Sequence, residues 1–309
     1  ITVNNKFTNY DGAPSMYKCS ENNIGLHENQ EICSCGNINC NVISGLFCVY
    51  DNNIGACAKQ MFTFVPLSDA TIHEAVKNWI SSDLTKRALV IKKFGAMREW
   101  NTSNVTSFRR LFKGLSFFTA DLSKWDVRKV TTMESTFESA VVFNSDISKW
   151  KTERLTNMFR FLFRAELFTS DLSKFSTGKV TNMFDLFRGA VSFNSDLATW
   201  DTRNCTDMQG MFDGAKSFNS DLANWQIGKV VYCNAMFYEA SSFNSDLSKW
   251  DTGNVEQFPT MFQGAVVFNS VVSSWDLSSV ETLYNALEDM FKDAKKFNQV
   301  WCSQNWQDS

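Results

Sequence analysis

The feature that most constrains this 309-residue chain is an internal repeat of 25 residues. Phenylalanine recurs at that interval at Phe118, Phe143, Phe168, Phe193, Phe218, Phe243 and Phe268. Tryptophan recurs at Trp100, Trp125, Trp150, Trp200, Trp225, Trp250 and Trp275, and Phe175 stands at the one missing place. A fixed period of roughly 20–50 residues is typical of repeat proteins, in which each repeat packs only on its neighbours. The chain is therefore expected to fold as a solenoid.

The apolar positions inside one repeat indicate its local structure. After Trp125 they are Val130, Met133, Phe137, Ala140 and Phe143, with spacings of 3, 4, 3 and 3 residues. Such spacing places side chains on one face of an α-helix, and the short L-S-K-W-D-T segments favour an extended strand. The predicted fold class is an α/β repeat built from strand-turn-helix units.

Stacking would bury the aromatic side chains that one repeat leaves exposed. Each large apolar side chain contributes roughly 1.5–3 kcal/mol when fully buried. Composition agrees, because 28 phenylalanines and only 3 prolines suit a regularly packed chain. We therefore interpret the recurring Phe and Trp residues as core columns rather than as a binding groove.

The ends of the repeat array suggest four regions. These are a disulfide-rich module at 1–60, a helical N-terminal cap at 61–99, a solenoid of about eight repeats at 100–296 and a C-terminal cap at 297–309. Helices are predicted at 69–81 and 84–94, where apolar residues share one face. The last repeat is longer by four residues, since 11 positions separate Val280 from Phe291.

Six of the nine cysteines cluster near the start of the chain, at Cys19, Cys33, Cys35, Cys40, Cys48 and Cys57. Their spacing, C-x13-C-x-C-x4-C-x7-C-x8-C, lacks the paired motifs typical of zinc sites. The cluster favours a small disulfide-stapled module over a zinc site, with the pairing left open. Disulfide modules belong to oxidising compartments, so a secreted or cell-surface protein is expected.

Charge and hydropathy exclude two classes of partner. Thirty Lys and Arg residues nearly balance 33 Asp and Glu residues, giving a net charge of -3. That balance argues against a nucleic-acid binder, which would carry a basic excess. The apolar runs are far shorter than the roughly 20 residues of a membrane span.

No catalytic constellation is visible in the sequence. The two histidines, His27 and His73, both precede the repeats, so no Ser-His or Cys-His pair is expected there. Cys205 and Cys233 occupy places filled elsewhere by Val and Met, which predicts buried thiols. The unpaired Cys302 would be available to a partner chain. We expect no enzyme activity and no required cofactor.

Carboxylates recur once per repeat, at Asp121, Asp146, Asp171, Asp196, Asp221 and Asp246. Stacking would bring them within about 5 Å of one another, where like charges repel. Asp side chains that accept backbone N–H groups in the N-S-D-L turn would explain them. Calcium held between repeats is the second interpretation, and a catalytic carboxylate pair is the third.

Other polar side chains recur beside these carboxylates. Asn144, Asn194, Asn219, Asn244 and Asn269 are predicted to form a side-chain ladder that satisfies turn backbone groups. Three glycosylation sequons occur, at Asn101, Asn104 and Asn204. The last two also belong to the repeat motif, so glycans at these positions remain one of two interpretations.

The repeat resembles the BspA-like leucine-rich-repeat family of bacterial surface proteins. The matching segments are W-N-T-S-N-V-T (100–106), V-T-N-M-F-D-L-F-R-G-A-V-S-F-N-S-D-L (180–197) and W-D-T-G-N-V (250–255), and the resemblance covers about residues 70–297. It implies a right-handed leucine-rich-like solenoid, no known catalytic residues, and roles in surface attachment or extracellular assembly. The cysteine-rich start, which that family lacks, resembles small modules of secreted protist proteins.

These observations predict a non-catalytic extracellular or cell-surface protein for protein–protein contact, adhesion or assembly of an extracellular structure. Its expected partners are other proteins, including copies of itself in a filament or coat, and glycans. The alternatives are a calcium-dependent adhesin and a carbohydrate-active enzyme on a solenoid scaffold.

Overall fold

The computed structural model describes residues 64–280 and 283–299, together with the backbone of four short strands near the start of the chain. The side chains of the six clustered cysteines, and Cys302, lie outside the described residues, as does His27. The predicted disulfides therefore stay predictions. Contacts divide the chain into two parts, residues 1–65 with 77–100 and residues 66–76 with 101–309.

Among its described residues, the first part contains two hairpins and helix α2 (Leu84–Phe94). Strand β1 (Cys33–Cys35) pairs antiparallel with β2 (Ile38–Cys40), and β3 (Phe47–Asp51) pairs antiparallel with β4 (Ile54–Ala58). Helix α2 begins after Asp83, whose carboxylate accepts two backbone N–H groups, and ends at Gly95. The indole of Trp100 donates to the Gly95 carbonyl at 3.0 Å.

Helix α1 (Asp69–Trp79) begins in the second part and ends in the first. Both helices were predicted within a few residues of their observed bounds. The predicted end of the first helix, at residue 81, was wrong, because Ile80 lies beyond the helix and is 45% exposed. A short 3₁₀ helix, Met97–Glu99, precedes the first repeat.

Successive repeats lie side by side in the second part. Single parallel bridges join equivalent positions, in the order Ser107, Thr132, Asn157, Asn182, Asp207, Tyr232 and Gln257. The sequence period is thus also the period of the backbone hydrogen bonds. We call a set of side chains at equivalent positions in successive repeats a column.

The predicted helix inside each repeat is wrong, and the L-S-K-W-D-T segments of the described repeats form turns rather than the predicted strand. Alternate N–H groups, those of Phe108, Arg110, Phe112 and Gly114, donate to carbonyls of the next repeat, and those of Leu111, Lys113 and Leu115 donate three residues back within the repeat. Two positions per repeat also have positive φ, such as Arg110 at 57° and Gly114 at 77°. An α-helix permits neither feature, so this segment is a run of tight turns.

Phenylalanine forms two columns in the core. In the first, Phe193, Phe218 and Phe243 stack with ring centroids 5.9 Å apart. In the second, Phe212 and Phe237 stack at 5.5 Å, and each ring also lies 3.9 Å from a ring of the first column. Offset stacking adds to the free energy gained by burial.

Tryptophan forms a third column, and its polar atom has a fixed partner. The indole N–H donates to the carbonyl of the residue 28 positions earlier in five repeats, at distances of 2.9–3.2 Å, from Trp150, Trp200, Trp225, Trp250 and Trp275. Trp200 and Trp225 stack in parallel at 6.4 Å. The tryptophans therefore both fill the core and tie neighbouring repeats together.

The extra residues of the last repeat form helix α3 (Leu283–Ala286). After it the usual pattern resumes, since the carbonyls of Ala286, Glu288 and Met290 accept N–H groups from the preceding repeat. Phe297 continues the first phenylalanine column, stacking on Phe268 at 6.0 Å. Most of the predicted C-terminal cap, residues 300–309, lies outside the described residues.

Candidate functional site

The start of the repeat ladder is closed by a side chain of helix α1. Asp69 accepts the backbone N–H groups of Thr106 and Ser107 at 2.7 and 3.1 Å. In later repeats the N–H equivalent to that of Thr106 donates instead to the preceding repeat, as Thr131 does to the Thr106 carbonyl. The Asp69 carboxylate thus replaces a missing repeat at this edge.

The recurring aspartates hold the turns in which they lie. In each of the six, from Asp121 to Asp246, one carboxylate oxygen accepts the backbone N–H two residues later, at 2.8–3.0 Å. These bonds lower the pKa of Asp171 and Asp246 below its usual value, and the backbone bond is the main cause. The turn interpretation of the aspartate column accounts for these contacts.

A serine column joins this turn to the next repeat. The Ser220 hydroxyl accepts the Leu197 N–H at 2.8 Å and donates to Asp196 at 3.3 Å. Five other serines make the first bond in the same way, namely Ser145, Ser170, Ser195, Ser245 and Ser270. All except the half-buried Ser170 are nearly buried. The S of N-S-D-L is therefore a bridge between repeats.

Asparagine and threonine extend the same pattern. The side-chain oxygens of Asn194, Asn219 and Asn244 each accept the backbone N–H of the next residue in their column, at 2.8–2.9 Å. A buried threonine column, which includes Thr177 and Thr202, donates to carbonyls of the following repeat at 3.0 Å. These columns satisfy backbone groups that would otherwise be buried unpaired.

The described residues offer little to a metal ion or a nucleophilic mechanism. In residues 64–280 and 283–299, no group of three or more His, Cys, Asp or Glu side chains could hold a metal ion. Cys205 and Cys233 are fully buried, and burial raises the pKa of the Cys205 thiol to about 12. Burial raises the pKa of Cys233 as well. Both thiols are therefore protonated and unreactive.

A second group of carboxylates lies on the turn segment. Asp185 is buried and pairs with Arg160 at 2.9 Å, while Arg188 contacts both Asp185 and Asp213. Burial raises the pKa of Asp185, and it raises that of Asp213 to about 6. Arg160 also lies over the Phe159 and Phe184 rings at 5.2 and 5.4 Å. Removing these charged groups from water is unfavourable for folding.

A polar groove lies at the edge formed by the W-D-T-x-N segments of the first repeats. It is open to solvent, has a volume of about 560 Å³ and is lined by Ser103, Asp126, Arg128, Lys129, Glu153 and Arg154. Arg128 pairs with Asp126 through two bonds of 2.6 and 2.9 Å. The tryptophans behind this edge are buried. The groove therefore presents charge and hydrogen-bonding groups rather than aromatic surface.

The three sequon asparagines are exposed on this same edge. Asn101 accepts the N–H of Ser103, and Asn104 accepts the Lys129 ammonium group at 2.9 Å. Asn204 donates to the Gly178 carbonyl at 2.8 Å and accepts Lys229. These hydrogen bonds are the structural role of the three asparagines in the repeat, and their glycosylation stays a prediction.

Among the described residues, no helix has the length and apolarity needed to cross a bilayer. The 25-residue repeats are joined by parallel backbone bridges and by columns of side-chain hydrogen bonds. These features define a repeat protein. The family DUF285, described as a Mycoplasma protein of unknown function, matches residues 82–199 and 182–306. Together these matches cover most of the chain, which therefore belongs to that family. No curated protein matches the sequence.

Proposed function

We propose that this protein is a non-catalytic extracellular or cell-surface protein that contacts other macromolecules through its repeat array. The observation that supports this proposal is how the recurring polar side chains are used. The Asp, Ser, Asn and Trp columns are all engaged in bonds within and between repeats. The long, regular exposed surface of the repeat array remains available for function, and such a surface suits binding or lateral assembly.

The architecture that goes with this function is a right-handed, leucine-rich-like solenoid of the BspA-like kind. The parallel bridges between repeats and the stacked aromatic columns support a solenoid. The proposed cysteine-rich module at residues 1–60 would be a separate head, stapled by disulfides in an oxidising compartment. Secretion or surface display follows from that module.

Size-exclusion chromatography with light scattering tests the assembly function directly. The native chain should elute as particles larger than its sequence mass of 35.2 kDa, or bind immobilised surface material. Assembly should persist in a calcium chelator, because the aspartate column is already satisfied by backbone N–H groups. A monomer that binds no macromolecule would overturn the proposal, and dissolution by chelator would favour a calcium-dependent adhesin.

A further inference from the structure

We propose that the groove beside Arg154 is the start of a binding track for a linear anionic polysaccharide. The track is formed by Lys129, Arg154 and Lys179, which we call the cation column. These three residues occupy the same position in three successive repeats, and all are exposed. The proposal rests on the macromolecule-binding function proposed above and names the chemistry of the partner.

The fold itself does not require a cation at this position. Asparagine fills the column in other repeats, at Asn104, Asn204 and Asn254, and Ser279 fills it in a later one. The side chains of Asn204, Asn254 and Ser279 bond to carbonyls of the preceding repeat, those of Gly178, Gly228 and Gly253. Three consecutive cations are therefore a departure from what packing alone demands.

The cations of this column also lack the carboxylate partners found elsewhere. Arg160, Arg188 and Arg203 each form an ion pair with an aspartate at 2.7–2.9 Å. Within residues 64–280 and 283–299, none of the three cations forms an ion pair at contact distance. Lys129 hydrogen-bonds to the neutral Asn104, and its charge acts on Asp126 only at longer range, where it helps to lower the pKa of that carboxyl.

Stacking makes the column a regular linear array of charge. Hydrogen-bonded neighbouring strands lie about 4.8 Å apart, so the three cations face one another closely and repel. A chain that carries an anion on successive units relieves this repulsion along its length. Arg128 is less available, because it is held by Asp126 and lies near Glu153.

Sulfated or carboxylated glycans fit this edge better than nucleic acids do. Single-stranded nucleic acid is bound through bases stacked on exposed aromatic rings as well as through charge. Here Trp125, Trp150 and Phe175 are no more than 4% exposed. The hydroxyl groups of Ser103 and Ser176 instead offer hydrogen bonds suited to sugar hydroxyls.

The test compares the full chain with a triple variant, K129S/R154S/K179S, in which serine copies the residue of a natural repeat. Fluorescently labelled dextran sulfate and polygalacturonate are the probes, with neutral dextran as the control polymer. We expect binding to one or both polyanions, weakened by salt, and a loss of roughly tenfold or more in affinity in the triple variant. The matched control is Lys229→Ser, an isolated cation in the same column, which should change affinity less than about twofold.

Several results would overturn the inference. These are equal affinity in the triple variant, equal affinity for neutral dextran, or tighter binding of a single-stranded oligonucleotide than of either glycan. Loss of self-association in the triple variant without any glycan binding would assign the column to a second copy of the chain. A wild-type chain that assembles yet ignores both polyanions would end this inference and leave the proposed function standing.

Discussion

At the scale of single residues, the repeat depends on two backbone positions with left-handed φ. The first column contains Arg110, Ser135, Arg160, Asp185, Gly210, Ala235 and Thr260, with φ of 51–61°. Four residues later a second column includes Gly114, Gly189 and Gly214. Residues other than glycine are strained there by roughly 1 kcal/mol each. Because non-glycine residues occupy these positions, the hydrogen bonds between repeats must hold the backbone in this conformation despite its strain.

Gly210→Ala is expected to destabilise the protein by about 2–4 kcal/mol. Ala235 shows that the column accepts alanine, but a Cβ at position 210 would collide with the buried Asp185 carboxylate. Gly114→Ala is the control, since its Cβ would meet nothing within 4 Å. It should cost only about 1 kcal/mol in denaturant unfolding. Equal losses in the two variants would show that Asp185 moves aside freely.

Asp213→Asn should stabilise the protein more at about pH 7.5 than at about pH 4.5. The raised pKa of Asp213, about 6, means that the folded chain retains a proton that the unfolded chain releases. The stabilisation that protonated Asp213 gives to the folded chain is fully present below the usual pKa of 3.8, and it is lost as the pH rises to about 6. After allowance for solvent screening and for the lost Arg188 pair, the difference between the two pH values is about 1 kcal/mol.

Thermal unfolding at both pH values gives the measurement for Asp213. Asp171→Asn is the matched control, because the Ser173 N–H lowers the pKa of Asp171. That carboxylate is ionised at both pH values, so its replacement should have the same effect at each. A stabilisation by Asp213→Asn that does not change with pH would contradict the assigned ionisation.

At the scale of the element, the sequence predicted what each repeat buries but not how its backbone runs. The Phe and Trp columns were correct, because a period in sequence becomes a column once repeats stack. The helix over Val130 to Phe143 was wrong, since its apolar spacing also fits a run of turns whose alternate N–H groups bond to the next repeat. Glycine fills the left-handed positions too irregularly to reveal them.

The candidate site could be predicted only in part, because its contacts depend on how the backbones of neighbouring repeats run. The turn role of the aspartates follows from local chemistry, and their bonds to N–H groups two residues later show it. The serine bridge joins residues 23 positions apart, and patterns among neighbouring residues in the sequence do not predict such a contact. The cation column was not predicted from the sequence, because its significance depends on which neighbouring side chains carry carboxylates.

Ser220→Ala should destabilise the protein by about 1–3 kcal/mol. The change leaves the buried Leu197 N–H without the acceptor that now lies 2.8 Å away. Ser217→Ala is the control, because that serine is exposed and its hydroxyl bridges no repeats; its effect should stay within about 0.5 kcal/mol. Urea unfolding compares the two, and a harmless Ser220→Ala would mean that water replaces the hydroxyl.

At the scale of the whole molecule, the side-chain bridges described above reach from one repeat to the next. Hydrogen bonds of the Ser, Thr, Asn and Trp columns join residues 23–28 positions apart. The stability of such an array is roughly a sum of repeat terms and nearest-neighbour interface terms. Local damage should then weaken adjacent repeats and leave distant ones unaffected.

A double-mutant cycle tests this nearest-neighbour behaviour. Trp200 and Trp225 stack directly at 6.4 Å, whereas Trp150 and Trp250 lie four repeats apart, and all four indoles donate the same type of hydrogen bond. Trp200→Phe with Trp225→Phe should show a coupling energy of about 0.5 kcal/mol or more, while the distant pair should add within about 0.3–0.5 kcal/mol. Because each cycle removes identical chemistry, the difference reports only separation along the array. Equal coupling in both pairs would mean that the effect of a change in one repeat extends beyond its neighbours, and the nearest-neighbour description would then be wrong.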